Sequence, residues 1–433
     1  MTQQASRRHF IRNILTGIAG SSLLLETGKE RLLAKADPIL PPSVDRNLHL
    51  PESYWRLVKK NFPFEPKLLY FNNASLGPSP EIVRDATEAF RRTLDSFPSK
   101  YMWGGWQEDK EQVRTKAANL LGVSAEEIAL IHNTTEGMNV IAAGLDLKPG
   151  DEVILANHEH PSGTIPWQYW QETKGIKLIR PTLPILPKTP EQIVKVYADA
   201  ITPKTKVISM CHVINTNGMI LPVKQVSQMA RKKGILVAVD GAQAPGMLTM
   251  NLHRLGCDFY AASSHKWLFS PKGMGIFYIR KESQHLIKPL IVCRGYDDPT
   301  IRRFENYNTR NLPELLGLGT ALDFQNLITP QAIATRIRQL KNHFLTQISN
   351  RPHLKLKTPS HPNLSAGIQV IELLDHSAVQ TAQRLMTDHH INLRPMPMHN
   401  LNALRISLSI YTTKQDINHL LQTLDTLATT ENH

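Results

Sequence analysis

The chain has 433 residues, 41% of them hydrophobic and 20% charged, which leaves room for two domains or one large one of ordinary globular composition. Its formal net charge of +13 comes from Lys and Arg scattered along the chain, with no zinc-finger spacing or aromatic RNA-binding pattern, so nucleic acid is not the expected partner. No apolar run reaches the roughly 20 residues of a membrane-spanning helix, and Cys211, Cys257 and Cys293 are too few and too scattered for a disulfide framework or a CxxC metal site.

The first residues read as an address. Ser6-Arg7-Arg8-His9-Phe10-Ile11-Arg12 is followed by an apolar stretch from Ile14 to Leu25 and then by Ala34-Lys35-Ala36, the order of an export signal. The paired arginines before Phe10 resemble a twin-arginine signal. On that reading residues 1–36 are a signal cut after Ala36, the twin-arginine translocon is a partner, and the mature protein is periplasmic or secreted. The alternative is an N-terminal amphipathic helix on a chain that stays in the cytoplasm.

Residues 37–70 open with a proline-rich stretch, Pro38 to Pro51, that reads as an extended arm. Ser79-Pro80-Glu81 starts a helix that runs to about Phe97. A second helix spans Gln107–Leu121 and closes at Gly122. Between them, Tyr101–Trp106 is either a pocket lining or a packing turn. Strands and helices then alternate. Glu127–His132, Glu152–Ala156, Lys177–Arg180, Lys206–Cys211, Ile235–Asp240 and Asp258–Ala262 are strand candidates, Thr135–Leu145 and Val223–Lys233 are helices, and Gly275–Arg280 is a strand turning back. Continuous apolar runs in this alternation predict parallel strands covered by helices on both faces. After about Asn311 come long helices over Leu312–Asn326 and Thr329–Asn350, strands over Gly367–Glu372 and Leu404–Ser409, and a closing helix over Lys414–Thr426. The expected fold is α/β: a large domain (71–305) with a mainly parallel seven-stranded sheet, a smaller α+β C-terminal domain (306–433), and an arm (37–70) that joins the smaller one.

Three segments carry chemistry. Ser263-Ser264-His265-Lys266 follows an apolar strand, where an amine can be desolvated and fixed for imine formation; a surface lysine is the plainer alternative. Val237-Ala238-Val239-Asp240-Gly241-Ala242-Gln243 ends a buried strand in one carboxylate, where α/β sheets bind ligands. Such an Asp keeps the pyridine nitrogen of pyridoxal 5′-phosphate (PLP) protonated, though a strand-end Asp can simply cap the next loop. Asn133-Thr134-Thr135-Glu136-Gly137 precedes a helix whose N-terminus suits a phosphate, or is an N-cap alone. His158-Glu159-His160 is not HExxH, and no metal site is expected.

In this order and spacing the segments resemble the class V aminotransferase family of fold-type I PLP enzymes, which includes isopenicillin N epimerase-like proteins, cysteine desulfurases and kynureninases. The likeness runs from about Tyr70 to Tyr411. It takes in Tyr70-Phe71-Asn72-Asn73-Ala74-Ser75-Leu76-Gly77 as a substrate loop, Glu159-His160, and the strand His212-Val213-Ile214-Asn215-Thr216-Asn217-Gly218. The resemblance implies that Lys266 holds PLP as a Schiff base and later shuttles the substrate's α-proton. It implies that Asp240 pairs with the pyridinium, that Gln243 and Asn215 lie near the ring hydroxyl, and that His160 stacks on the ring. Thr134, Thr135, Ser263 and His265 would hold the phosphate. Thr309, within Asn306–Asn311, would complete the site of a second subunit, which implies a homodimer with shared active sites. Asn73 and Arg405 would bind an amino-acid-like substrate, Arg405 gripping its carboxylate as a bidentate guanidinium does.

The closest pattern within the family is the isopenicillin N epimerase-like one. Cysteine desulfurases need a nucleophilic cysteine shortly before the carboxylate-binding arginine, and Asp388 to Ala403 holds none. The expected activity is therefore epimerisation or C–S/β-elimination at an amino acid or peptide-like amine. Amino transfer to a keto acid is the runner-up, and a non-catalytic binding protein on the same fold is the alternative of another class.

Overall fold

The computed structural model describes residues 50–398 and 401–430. The export signal read at residues 1–36 and the proline-rich start of the arm lie outside the described residues.

Seven strands form the large sheet: β2 (Ile128–Ile131), β3 (Glu152–Leu155), β4 (Lys177–Ile179), β5 (Thr205–Cys211), β6 (Leu236–Asp240), β7 (Phe259–Ser263) and β8 (Gly275–Ile279); a short β1 (Leu69–Tyr70) precedes them outside this sheet. Their order is β2-β8-β7-β6-β5-β3-β4. All neighbouring pairs are parallel except those made by β8, which turns back between β2 and β7. Side chains alternate between faces with a period of two, and the two cores divide accordingly. Ile128 and Leu130 of β2, with Tyr260 and Ala262 of β7, face one core. Ala129 and Ile131, with Phe259 and Ala261, face the other. Because both faces are covered, the strands read in sequence as unbroken apolar runs.

After α1 (Glu52–Lys59) in the arm, helices α2 (Glu81–Ser96) and α3 (Gln107–Leu121) lie on the first face, while α4 (Thr134–Gly144) and α5 (Pro161–Lys174) cover the second. At Gly137 an added Cβ would stand 2.5 Å from the Ala261 methyl, so only glycine lets the first turn of α4 come this close to β7. Tyr101 and Trp106 are buried against each other, ring centroids 4.9 Å apart, which makes that segment a packing turn.

The smaller unit carries a four-stranded antiparallel sheet, β12-β13-β10-β9, from β9 (Leu354–Leu356), β10 (Ile368–Leu373), β12 (Arg394–Met396) and β13 (Ala403–Ser407). The described residues of the arm contact this unit. β1 pairs in parallel with β11 (Ile391–Asn392), and Glu52 in the arm's first helix accepts two bonds from the buried Arg336, at 2.6 and 2.9 Å. The helix Leu312–Ile328, which the sequence boundary assigns to the small domain, buries 14 of its 17 residues and packs on α2 and α3. A helix apolar all round is one enclosed on every side, and this one bridges the two units.

Candidate active site

The C-terminal ends of β2, β3, β5, β6 and β7 open on one edge of the sheet, the place where α/β sheets bind ligands. The strand ends and the segments after them carry Thr134, His160, Asn215, Asp240 and Lys266 to that edge.

Lys266 follows β7 in a turn and is half-buried. Burial pushes its amine down to about 8, with Arg405 adding to the effect and Asp240 opposing it. At pH 7 about a tenth of such an amine is unprotonated, against roughly one in a few thousand for an ordinary lysine. Because the shift is downward, the neutral amine accumulates as pH rises through about 8. The rate at which cofactor-free protein takes up added PLP, read from visible absorbance, should therefore climb from pH 7 to 9 and then level. A rate still rising tenfold per unit to pH 10 would show an unperturbed lysine.

Asp240 is buried at the end of β6. Its Oδ1 accepts the Ala242 N–H at 2.9 Å and its carbonyl accepts the His212 N–H at 2.8 Å. Beside it lies a residue that the sequence reading passed over as a site member. Glu159 is buried, and desolvation with the neighbouring Asp240 charge pushes its carboxyl up to about 8. Glu159 therefore keeps its proton at neutral pH. His160 is exposed. Its Nδ1 accepts the Ser162 N–H at 3.1 Å and caps α5.

Gln243 is largely engaged by protein. Its Nε2 donates to the Ala74 carbonyl and its Oε1 accepts the Trp267 indole N–H, both at 2.8 Å, leaving one N–H. The half-buried Asn215 presents its carbonyl to the Arg405 Nη1 at 3.1 Å.

Donors gather where α4 begins. The Ser263 hydroxyl accepts the Thr134 N–H and also lies 2.9 Å from the Thr134 hydroxyl. Thr135 is exposed and donates to Ser162 Oγ at 2.9 Å. His265 is pushed down to about 4 by burial and by the charges of Lys266 and Lys272, and its buried Nδ1 has no partner. That orphan nitrogen, two hydroxyls and the helix N-terminus fit a phosphate; with the Lys266 amine and Asp240 carboxylate, the set fits PLP. Thr309 stands apart, exposed on its loop and making no hydrogen bond among the described residues.

Arg405 of β13 is 2% exposed, and burial together with the Arg394 charge lowers its guanidinium to about 10. Its Nη1 bonds the Asn215 carbonyl, while its Nη2 reaches Ser75 Oγ at 2.5 Å and Asn72 Oδ1 at 3.3 Å. It pairs with no carboxylate among the described residues, and its buried Nε has no partner. Asn72, not its neighbour Asn73, touches this arginine. Asn73 is fully buried, with Oδ1 accepting the Tyr411 hydroxyl at 3.1 Å and Nδ2 unpartnered.

The same loop closes over the lysine turn. Gly77 donates to the His265 carbonyl at 2.9 Å, and an added Cβ would stand 2.0 Å from the Lys266 carbonyl oxygen. Gly77→Ala must push the two backbones apart, a strain of about 1–3 kcal/mol. The expected result is a lower Tm and weaker PLP retention together, read by thermal melting and dialysis; unchanged retention would show that the loop does not brace the lysine turn.

Residues 69–420 match the family described as Aminotransferase class-V. The chain is 30% identical to isopenicillin N epimerase of Streptomyces clavuligerus over 390 residues, covering 86% of this chain and 98% of the relative. It is 28% identical to a cysteine desulfurase of Serratia proteamaculans over 403 residues, covering 84% and 96%. Among solved structures, a C-DES mutant with glycine covalently linked to its PLP cofactor superposes with a TM-score of 0.76 at 25% identity, over 84% of this chain and 98% of that one. The chain belongs to the class-V aminotransferase family and uses pyridoxal 5′-phosphate.

Proposed function

We propose that the protein acts at the α-carbon of an amino acid or a peptide-like amine, by epimerisation or by β-elimination including C–S cleavage. The observation that carries this reading is the buried Arg405, which has no carboxylate partner among the described residues and lies close enough for its charge to act on Lys266. A substrate carboxylate on that guanidinium, worth more than an ordinary ion pair in a buried site, sets the α-carbon toward the lysine. PLP, when bound, supplies the electron sink that weakens bonds to the α-carbon. Lys266, with its amine at about 8, takes and returns the α-proton near neutral pH. With PLP bound, Asp240 would be the carboxylate that pairs with the ring nitrogen, and the protonated Glu159 beside it would not compete for that role.

Relatives include both epimerases and cysteine desulfurases, so the choice between them rests on this chain's own thiols. None lies between Asp388 and Ala403. Cys211 and Cys257 are buried and held protonated, the latter pushed up to about 12. Cys293 donates to the Asn306 carbonyl at 3.1 Å. A buried protonated thiol is a poor nucleophile.

The deciding measurement is incubation of PLP-loaded protein with D- and L-amino acids in D2O, followed by mass spectrometry and chiral analysis. Deuterium at the α-carbon with inversion, or release of an eliminated thiol or sulfide, supports the reading. Alanine formed from cysteine with a persulfide on the protein would replace it with desulfuration. Conversion to a keto acid with the amine form of the cofactor would replace it with amino transfer.

The same proposal includes a homodimer. Leu290, Ile291, Val292 and Tyr296 are exposed near the loop that carries Thr309, and sedimentation should show a dimer that buries them. Export by the twin-arginine route is proposed on residues 6–36 alone; replacing Arg7 and Arg8 by lysine should leave the protein in the cytoplasm.

A further inference from the structure

Two arginines face each other across the strand pair that bounds the cleft. In the antiparallel register of β12 and β13, Arg394 stands directly opposite Arg405. Such partners project from the same face, with Cβ atoms about 4.5–5.5 Å apart. Arg394 is exposed, and among the described residues it makes no ion pair or hydrogen bond. Its charge nevertheless reaches the site, acting on both Arg405 and His160. It therefore stands at the mouth of the cleft and not on a remote surface.

Like charges directly opposite destabilise a strand pair. Elsewhere in the protein two arginines are brought together by a carboxylate: Arg114 and Arg302 share Glu111, at 3.0 and 2.5 Å. At the cleft no such carboxylate pairs with either arginine among the described residues, and Arg405 already has Asn215, Ser75 and Asn72 to orient it. The missing anion is one a ligand can bring.

We infer that Arg394 is a second anion-binding residue of the substrate site and that the preferred substrate is an amino acid with a carboxylate on its side chain. Its α-carboxylate takes Arg405 and its side-chain carboxylate takes Arg394. The inference rests on the α-carbon reading above and narrows its substrate class to aspartate- or glutamate-like amines, free or within a small peptide.

The isosteric amides provide the test, because glutamate and glutamine differ in charge and little in shape. Titrations of PLP-loaded protein, followed in the visible spectrum, should show glutamate or aspartate binding about tenfold or more tightly than its amide, the scale of one charge-assisted hydrogen-bonded pair. In Arg394→Gln the acid-to-amide ratio should fall to about one, and Arg394→Lys should restore part of it. A wild-type ratio near one overturns the inference. So does a ratio that survives in Arg394→Gln, including the case in which acid and amide weaken equally because both arginines hold the α-carboxylate.

Calorimetry with glutarate and butyrate separates this result from failure of the α-carbon reading, since neither compound has an amine. Arg394-dependent preference for glutarate, with no spectral response to any amino acid, would support the second anion site and overturn the α-carbon chemistry. Spectral responses to amino acids with no preference for the dianion would overturn the second site alone.

Discussion

Lys266→Ala is expected to remove the visible absorption of the PLP-loaded protein and to lower turnover by about a thousandfold or more, the scale of losing a positioned acid–base group together with the cofactor's anchor. The side chain sits where burial disfavours its charge, so its loss removes a cost of folding as well as a chemical group, and Tm should hold or rise. That pattern, stable protein without colour or activity, separates a chemical role from a structural one. Borohydride reduction of the wild type should leave a reduced adduct on the peptide that contains Lys266. An adduct on another lysine, or a fully coloured and active alanine variant, would end the assignment.

Arg405→Leu is expected to lower kcat/KM by about 10²–10³-fold, as truncating one partner of a buried charge pair costs about 2–5 kcal/mol. The loss should fall mainly on substrate affinity, with visible absorption of the PLP-loaded protein still present. Arg405→Lys restores the charge without the planar fork and should recover only part. Because Arg405 also bonds the Asn215 carbonyl and Ser75, the leucine variant should lose some thermal stability as well. Equal affinity for carboxylate-bearing amines and their decarboxylated analogues in the wild type would remove Arg405 from substrate recognition.

Most of the large sheet is readable residue by residue because its inner strands are buried on both faces: Ile128–Ile131, Glu152–Leu155 and Phe259–Ser263 are all apolar runs or nearly so, while the edge strand Lys177–Ile179 is partly exposed. The helix Pro161–Lys174 went unread. Its first turns, PSGTIP, carry Gly163 and an internal Pro166, so the 3.6-residue signal is weak where it should begin. The helices Pro190–Asp199 and Ala378–His389 and the three-residue strands β9 and β12 were missed too; strands that short hold no periodicity to read.

The site divides the same way. Lys266 and Asp240 stand at the ends of strong strands and could be named from local pattern. Glu159 gave only the HEH string as a signal, and its elevated pKa arises from burial beside Asp240, which a string does not display. Asn72 and Ser75 reach Arg405 across separations of 333 and 330 residues, and nothing local in the substrate loop distinguishes Asn72 from Asn73. Arg394 becomes notable only when strand register sets it against Arg405.

That 333-residue span has a consequence for how the molecule comes into being on the ribosome. At about 5–20 residues per second, the loop bearing Asn72 waits on the order of half a minute for its partner to be translated. The sheet and its lysine can assemble meanwhile, but the contact that orients Arg405, the arginine proposed to hold the carboxylate, closes last. A nascent chain that stops short of β13 would have its lysine in place without the arginine proposed to aim a substrate at it, so on that proposal selectivity arrives only with the final strand.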